Sequence, residues 1–176
     1  MSSSISHNIK GRTKAQDVFY TPKELALLHI EMIPDEYKTE GNIWLDPCSG
    51  KGIYYNNFPT TVDRVQVEIT EGDDFLTYPY EDNTVIIGNP PYSIIEEWLK
   101  KTIALKPKIF SYLILQHHIT PKRLEMLEAD GYTMTQMKFL KVFKWYGIST
   151  IVSFERHSVP YTEITYNRKV FREDAE

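Results

Sequence analysis

Apolar residues along this chain fall into two rhythms, and the change from one to the other marks out the elements. Leu25, Leu28, Met32 and Ile33 recur at helical spacing behind Thr21-Pro22-Lys23-Glu24, a capping-box pattern with proline at the first helical position, and predict a helix over about 22–33. Ile43-Trp44-Leu45 is a short apolar run closed by Asp46-Pro47 and a glycine-rich turn, as expected of a buried strand. Val62 to Ile69 alternates with β-branched residues, and Thr84 to Ile87 is the continuous apolar run of a strand covered on both faces. Ser93-Ile94-Ile95-Glu96 repeats the capping-box form ahead of an amphipathic helix through Trp98, Leu99 and Ile103 that ends before Pro107. A strand from Ile109 to Leu115 follows, then a helix from Pro121 to Ala129 closed by Asp130-Gly131. Phe139–Val142, Ile148–Phe154 and Ile164–Val170 read as consecutive terminal strands. Residues 1–16 are polar, Ser-rich and without period, and read as a flexible arm before a single domain spanning 17–176.

Helices alternating with apolar strands specify an α/β fold on a mainly parallel sheet, and the consecutive terminal strands place an antiparallel hairpin at one edge. With 176 residues and 13% aromatics the chain can bury a sizeable core unaided. Cys48 is the only cysteine, which excludes an intramolecular disulfide and any cysteine-based zinc cluster. There is neither a long apolar run nor an apolar segment at the start, so no membrane partner is expected and a cytoplasmic location is. The net charge of -4 hides an asymmetry: residues 1–99 hold 7 Lys and Arg against 16 Asp and Glu, and residues 100–176 hold 13 against 8. The basic run from Lys100 to Lys144 has the charge to attract a phosphate backbone, although solvated helix faces account for it equally well.

The candidate chemistry follows the strands. Asp46-Pro47-Cys48-Ser49-Gly50-Lys51-Gly52 puts two glycines where the backbone must turn and approach a ligand closely, though a plain tight turn uses glycine in the same way. Glu68 ends the next strand about 20 residues on, where a carboxylate accepts from ribose hydroxyls in nucleotide sites. Asp74 beside Phe75 suits the amine and face of an adenine ring. Asn89-Pro90-Pro91-Tyr92 is the most specific element: two prolines remove two N–H donors and stiffen a turn that presents an amide oxygen, a carbonyl and an aromatic ring.

In this order, Phe19-Tyr20-Thr21-Pro22, DPCSGKG, Glu68, Asp74-Phe75 and NPPY resemble the motifs of S-adenosylmethionine-dependent adenine-N6 DNA methyltransferases of the gamma arrangement. The resemblance implies a Rossmann-like class I methyltransferase fold with a seven-stranded sheet, an antiparallel edge strand and helices on both faces. It implies S-adenosyl-L-methionine as cofactor. Phe19, Tyr20 and Thr21 would border its methionine end, and Asp46, Pro47, Cys48, Gly50 and Gly52 would hold the amino-acid and sulfonium portion. Glu68 would hold the ribose, Asp74 and Phe75 the adenine, and Asn89 would belong to the cofactor site as well as to the catalytic turn. Asn89, Pro90, Pro91 and Tyr92 would be catalytic: the Asn89 oxygen and Pro90 carbonyl accept the hydrogens of the target amine while Tyr92 stacks on its flipped-out base, with no metal required. Phe143, Trp145 or Tyr146 would meet the base's second face. The implied partner is nucleic acid, DNA ahead of RNA. With only 84 residues after Tyr92 no separate reader domain is expected, and specificity falls to short structural determinants, to a separate specificity partner, or to the N-terminal arm and the basic 100–144 stretch; a second copy of the chain is a further candidate partner. Methylation of an RNA base or a protein glutamine, or a catalytically silent nucleic-acid-binding subunit, are the alternatives.

Overall fold

The computed structural model describes residues 19–79, 83–143, 147–157 and 162–172. The first arm, Trp145 and Tyr146 lie outside them. Seven strands form one sheet in the order β2-β1-β3-β4-β6-β5-β7: β1 (Ile43–Asp46), β2 (Asp63–Gln66), β3 (Val85–Gly88), β4 (Ile109–Leu115), β5 (Tyr132–Phe143), β6 (Ser149–Arg156) and β7 (Glu163–Arg172). Among the described residues the α-helices are α1 (Lys23–Glu31), α2 (Ile95–Ala104) and α3 (Pro121–Ala129).

The pleat of the central strands explains the layering. Trp44, Val85, Ile87 and Ile109 point to one face and pack with Ala26 and Ile30 of α1 and with Ile33 just after it. Leu45, Ile86, Phe110, Tyr112 and Ile114 point to the other, against Ile95, Trp98 and Leu99 of α2 and Leu127 of α3. Strands buried on both faces must be apolar at every position, which is why β3 and β4 lack alternation. Helices therefore cover both faces, as expected.

The reversed strand is not at the edge. β6 runs antiparallel to both β4 and β5 and lies between them, while β7 takes the edge parallel to β5. The β5–β6 hairpin inserts its second strand against β4, and β7 pairs with the other side of β5. The first half of β5, Tyr132 to Lys138, was not expected as strand, and β2 is shorter than the alternating run that announces it.

Neither of the first two capping boxes forms. Pro22 and Ile94 are the N-caps of α1 and α2, with no side-chain cap bond, whereas Thr120 does cap α3, accepting from the Arg123 amide ahead of Pro121. Thr21 is drawn elsewhere: its Oγ1 accepts from Asn89 Nδ2 at 3.4 Å. Glu96 instead bonds Lys100 and Lys122.

Candidate functional site

The carboxyl ends of β1, β2 and β3 open on one cavity of about 310 Å³, within the range of small-molecule sites. Its position follows from topology. The chain leaves β1 for β2 on one side and returns to β3 on the other, and a crevice opens where connections diverge in this way.

Pro47 ends β1 because it lacks the N–H a strand would use. The chain then turns through Gly50 (φ +52°) and Gly52 (φ +72°), held by Ser49 N–H donating to Val67 O at 3.0 Å and Gly52 N–H to Ser49 O at 2.7 Å. A Cβ on Gly52 would meet only the end of the Asn56 side chain, at 2.7 Å from Nδ2, so it is the positive φ that requires glycine. No α-helix follows this turn; a 3-10 turn over Tyr55–Asn57 does, since Pro59 stops a longer one.

Glu68 is the latch between β2 and this turn. Its Oε2 accepts from Gly50 N–H at 2.6 Å, and its Oε1 accepts from the Thr70 N–H and hydroxyl at 3.0 and 2.8 Å. A carboxylate has about four acceptor positions, which leaves one on Oε2 for a ligand hydroxyl. Asp74 Oδ1 accepts from Leu76 N–H at 2.9 Å, ordering the turn that buries Phe75. Phe75 packs on Trp98 with ring centroids 4.5 Å apart. Opposite, Tyr20 lies under Lys51 Nζ at 4.4 Å.

Asn89 joins two segments far apart in sequence. Its Nδ2 donates to Phe19 O at 3.2 Å and to Thr21 Oγ1 at 3.4 Å, and its Oδ1 accepts from Tyr92 Oη at 3.1 Å. The Phe19 carbonyl can only accept, so the nitrogen must face it and the amide orientation is settled. The Cys48 thiol donates to Asn89 O at 3.1 Å, and burial raises its pKa well above normal, so it acts as a neutral tether. His118 lies against Tyr92, ring centroids 5.3 Å apart.

Phe19, Tyr20, Thr21, Pro47, Cys48, Gly50, Glu68, Asp74, Phe75, Asn89 and Pro91 all line this cavity. Asp46, Gly52, Pro90 and Tyr92 are not among its lining residues. Asp46 is fully buried; its Oδ1 accepts from Cys48 N–H at 3.3 Å and its Oδ2 has no hydrogen-bond partner. Burial pushes its carboxyl pKa up to about 7, against a partial downward pull from the Cys48 and Tyr55 amides. Asp46 thus lies buried beside the turn rather than in the lining of the cavity. Sequence reasoning missed Ile53, Tyr54, Asp73, Ile94 and Trp98 in the wall, and missed Gly88. A Cβ there would lie 3.2 Å from Pro47 Cδ and 3.3 Å from Asp46 Oδ1. The signal was present: glycine immediately before NPPY lets the turns after β1 and β3 touch.

No protein-family model and no curated protein matches the chain. Solved structures do. The methyltransferase subunit of a type I restriction-modification system from Streptococcus thermophilus superposes with a TM-score of 0.56 at 14% identity, over 80% of this chain and 45% of that one, so this chain spans less than half its length. The E. cuniculi Mtq2–Trm112 complex, responsible for methylation of the eRF1 translation termination factor, gives 0.59 at 19% over 78% and 98%. The Burkholderia thailandensis 1,6-didemethyltoxoflavin-N1-methyltransferase, bound to its substrate and S-adenosylhomocysteine, gives 0.57 at 13% over 89% and 87%. The fold is thus the Rossmann-like class I methyltransferase fold.

Proposed function

We propose that this chain binds S-adenosyl-L-methionine and transfers its methyl group to the exocyclic N6 amine of adenine in nucleic acid, DNA ahead of RNA. One observation carries the reading: the Asn89 amide in the cavity wall is held with its nitrogen on Phe19 and Thr21 and its oxygen beside the Tyr92 hydroxyl. An exocyclic adenine amine is a weak nucleophile because its lone pair is delocalised into the ring. The amide oxygen and the neighbouring Pro90 carbonyl accept its hydrogens and localise that pair, which is electrostatic preorganisation without a covalent intermediate.

The cavity residues fit the cofactor. The bound cofactor supplies a sulfonium-activated methyl group. Glu68 keeps one acceptor position for a ribose hydroxyl, Asp74 and the Phe75–Trp98 pair suit a purine amine and face, and Gly50 lets the backbone pass close to the ligand. Tyr92, braced by His118, is the surface on which an extruded base would stack.

Mass spectrometry of adenines in DNA exposed to the protein and cofactor tests the reading. N6-methyladenine should appear with the wild type and fall by on the order of 100-fold or more with Asn89→Ala, while calorimetry finds S-adenosylhomocysteine affinity within about threefold, roughly 0.6 kcal/mol. Unmethylated DNA alongside normal cofactor binding overturns the adenine assignment; loss of cofactor binding in folded Asn89→Ala moves the turn into the cofactor pocket.

A second reading, methyl transfer to a protein amide, is favoured by the superposition over 98% of the chain from the Mtq2–Trm112 complex. Radiolabelled cofactor offered separately to DNA and to a protein extract separates the two.

A further inference from the structure

Glu68, Asp73 and Asp74 bring three carboxylates to the cavity, and Lys51 is the one basic side chain among its described lining residues. A cation in such company is expected to close on an acid, and Lys51 does not. The ion pairs among the described residues are Lys38–Asp35, Lys100–Glu96 and Lys122–Glu96, none of which lies in the cavity. Two of the cavity's acids are occupied by local backbone: Glu68 accepts from the Gly50 and Thr70 amides, and Asp74 from the Leu76 amide. Lys51 Nζ lies instead over the Tyr20 ring, 4.4 Å from its centre. That ring rests on the glycine turn, where a Cβ at Gly50 would lie 3.3 Å from Tyr20 Cε1. Lys51 and Tyr20 are both exposed at this rim.

Magnitudes decide what the contact is for. An exposed ammonium on an aromatic face gains roughly 2- to 5-fold in an equilibrium constant, and fixing a long side chain there costs rotamer freedom. A charge-assisted hydrogen bond to a carboxylate is worth roughly 10-fold or more, so a carboxylate arriving at the rim displaces the ring as the partner of Nζ. S-adenosyl-L-methionine carries one anion, its amino-acid carboxylate, and two cations, its ammonium and its sulfonium. Like charge keeps Lys51 from the two cations. The three cavity acids suit hydroxyls, amines and cations, and they repel a carboxylate. Only Lys51, among the charged groups of the lining, has the sign to receive the cofactor's anion.

We propose that Lys51 is a cofactor-specificity residue: its ammonium leaves the Tyr20 ring for the amino-acid carboxylate of S-adenosyl-L-methionine and thereby selects the intact cofactor over forms that lack that carboxylate. The proposal rests on reading the cavity as the cofactor site and is independent of which nucleophile receives the methyl group.

Calorimetric titration without nucleic acid tests it, using S-adenosylhomocysteine and its decarboxylated analogue, in which hydrogen replaces the carboxylate. The wild type should bind S-adenosylhomocysteine roughly 10-fold or more tightly than the analogue. Lys51→Met keeps an unbranched stem against Tyr20 and removes the charge. It should weaken S-adenosylhomocysteine by about 10-fold, while the analogue, relieved of a like charge, binds as before or up to about twofold tighter. Lys51→Arg keeps a cation and should retain most of the preference. Added salt should narrow the preference in the wild type and leave Lys51→Met unaffected. Equal weakening of both ligands in Lys51→Met would mean that Lys51 only braces Tyr20, and unchanged S-adenosylhomocysteine affinity would mean that the carboxylate is held elsewhere; either result overturns the proposal. A wild type that melts cooperatively and binds neither ligand overturns the cofactor reading itself, and the task of Lys51 with it.

Discussion

Two buried ionisable side chains, Asp46 and His29, give the apoprotein opposing pH responses. Asp46 has its folded pKa raised from 3.8 to about 7, so the folded state binds the proton more tightly than the unfolded one between those values. Its contribution is present below pH 3.8 and is lost as pH rises toward 7. His29 has its folded pKa lowered from 6.5 to about 3. There the unfolded state takes the proton first, and stability is lost as pH falls below 6.5. From about pH 4 to 6.5 the two slopes oppose each other, leaving these residues with little net pH dependence of stability. Asp46→Asn removes one of them. Chemical denaturation should show that this variant gains on the order of a few kcal/mol over wild type at pH 8 and almost nothing at pH 4. An equal gain at both pH values would mean that Asp46 is not the titrating group. Asp46 was visible in sequence as the residue ahead of the glycine turn, but its depth was not, because burial depends on strands that pair across dozens of residues. His29 looked like one more position on an amphipathic helix, since nothing local says that Ser111 and Tyr54 would meet it.

At the scale of elements, the site depends on how closely the ends of β1 and β3 approach. Gly88 permits it. Gly88→Ala puts a methyl group 3.2 Å from Pro47 Cδ and 3.3 Å from Asp46 Oδ1, and neither is the far end of a flexible chain. Overpacking of this kind costs about 1–3 kcal/mol, and because the strain falls on the turn that carries Cys48 and Gly50, S-adenosylhomocysteine affinity should drop along with stability. A melting curve and a calorimetric titration check both; unchanged affinity in a destabilised variant would detach the β1–β3 contact from the site. Element legibility divides along the same line between local and long-range causes. The central strands and all three helices are marked by local apolar pattern and by prolines. The start of β5 was missed because Thr133, Thr135 and Gln136 interrupt its apolar sequence, and those positions become strand only through pairing with β6 and β7. The capping boxes failed for a related reason: Thr21 meets a stronger tertiary demand at Asn89 than the local helix end makes on it.

Across the whole molecule, folding breaks up the basic run from Lys100 to Lys144. The parallel strands place the ends of β1, β3 and β4 together, so Lys122, which follows β4, and Lys141, near the end of β5, belong to the end of the sheet that carries the cavity. Lys106 and Lys108, between α2 and the start of β4, belong to the opposite end. Sequence adjacency therefore overstated a single footprint: only part of that charge can reach a nucleic acid whose base enters at Asn89. Each phosphate neutralised adds about 0.7 to 0.9 to the slope of log affinity against log salt. Replacing Lys122 and Lys141 with Gln should flatten that slope by roughly 1.4 to 1.8 if both touch phosphate, whereas replacing Lys106 and Lys108 should leave it unchanged. Lys122 pairs with Glu96 at 3.3 Å on the surface, where solvent screens the two charges, so its loss does not threaten the fold. Fluorescence anisotropy with a labelled adenine-containing oligonucleotide over a salt series measures both pairs. Equal flattening by the two pairs would mean the strand is not held at the cavity end, and the assignment of Asn89 as the residue that meets the base would fall with it.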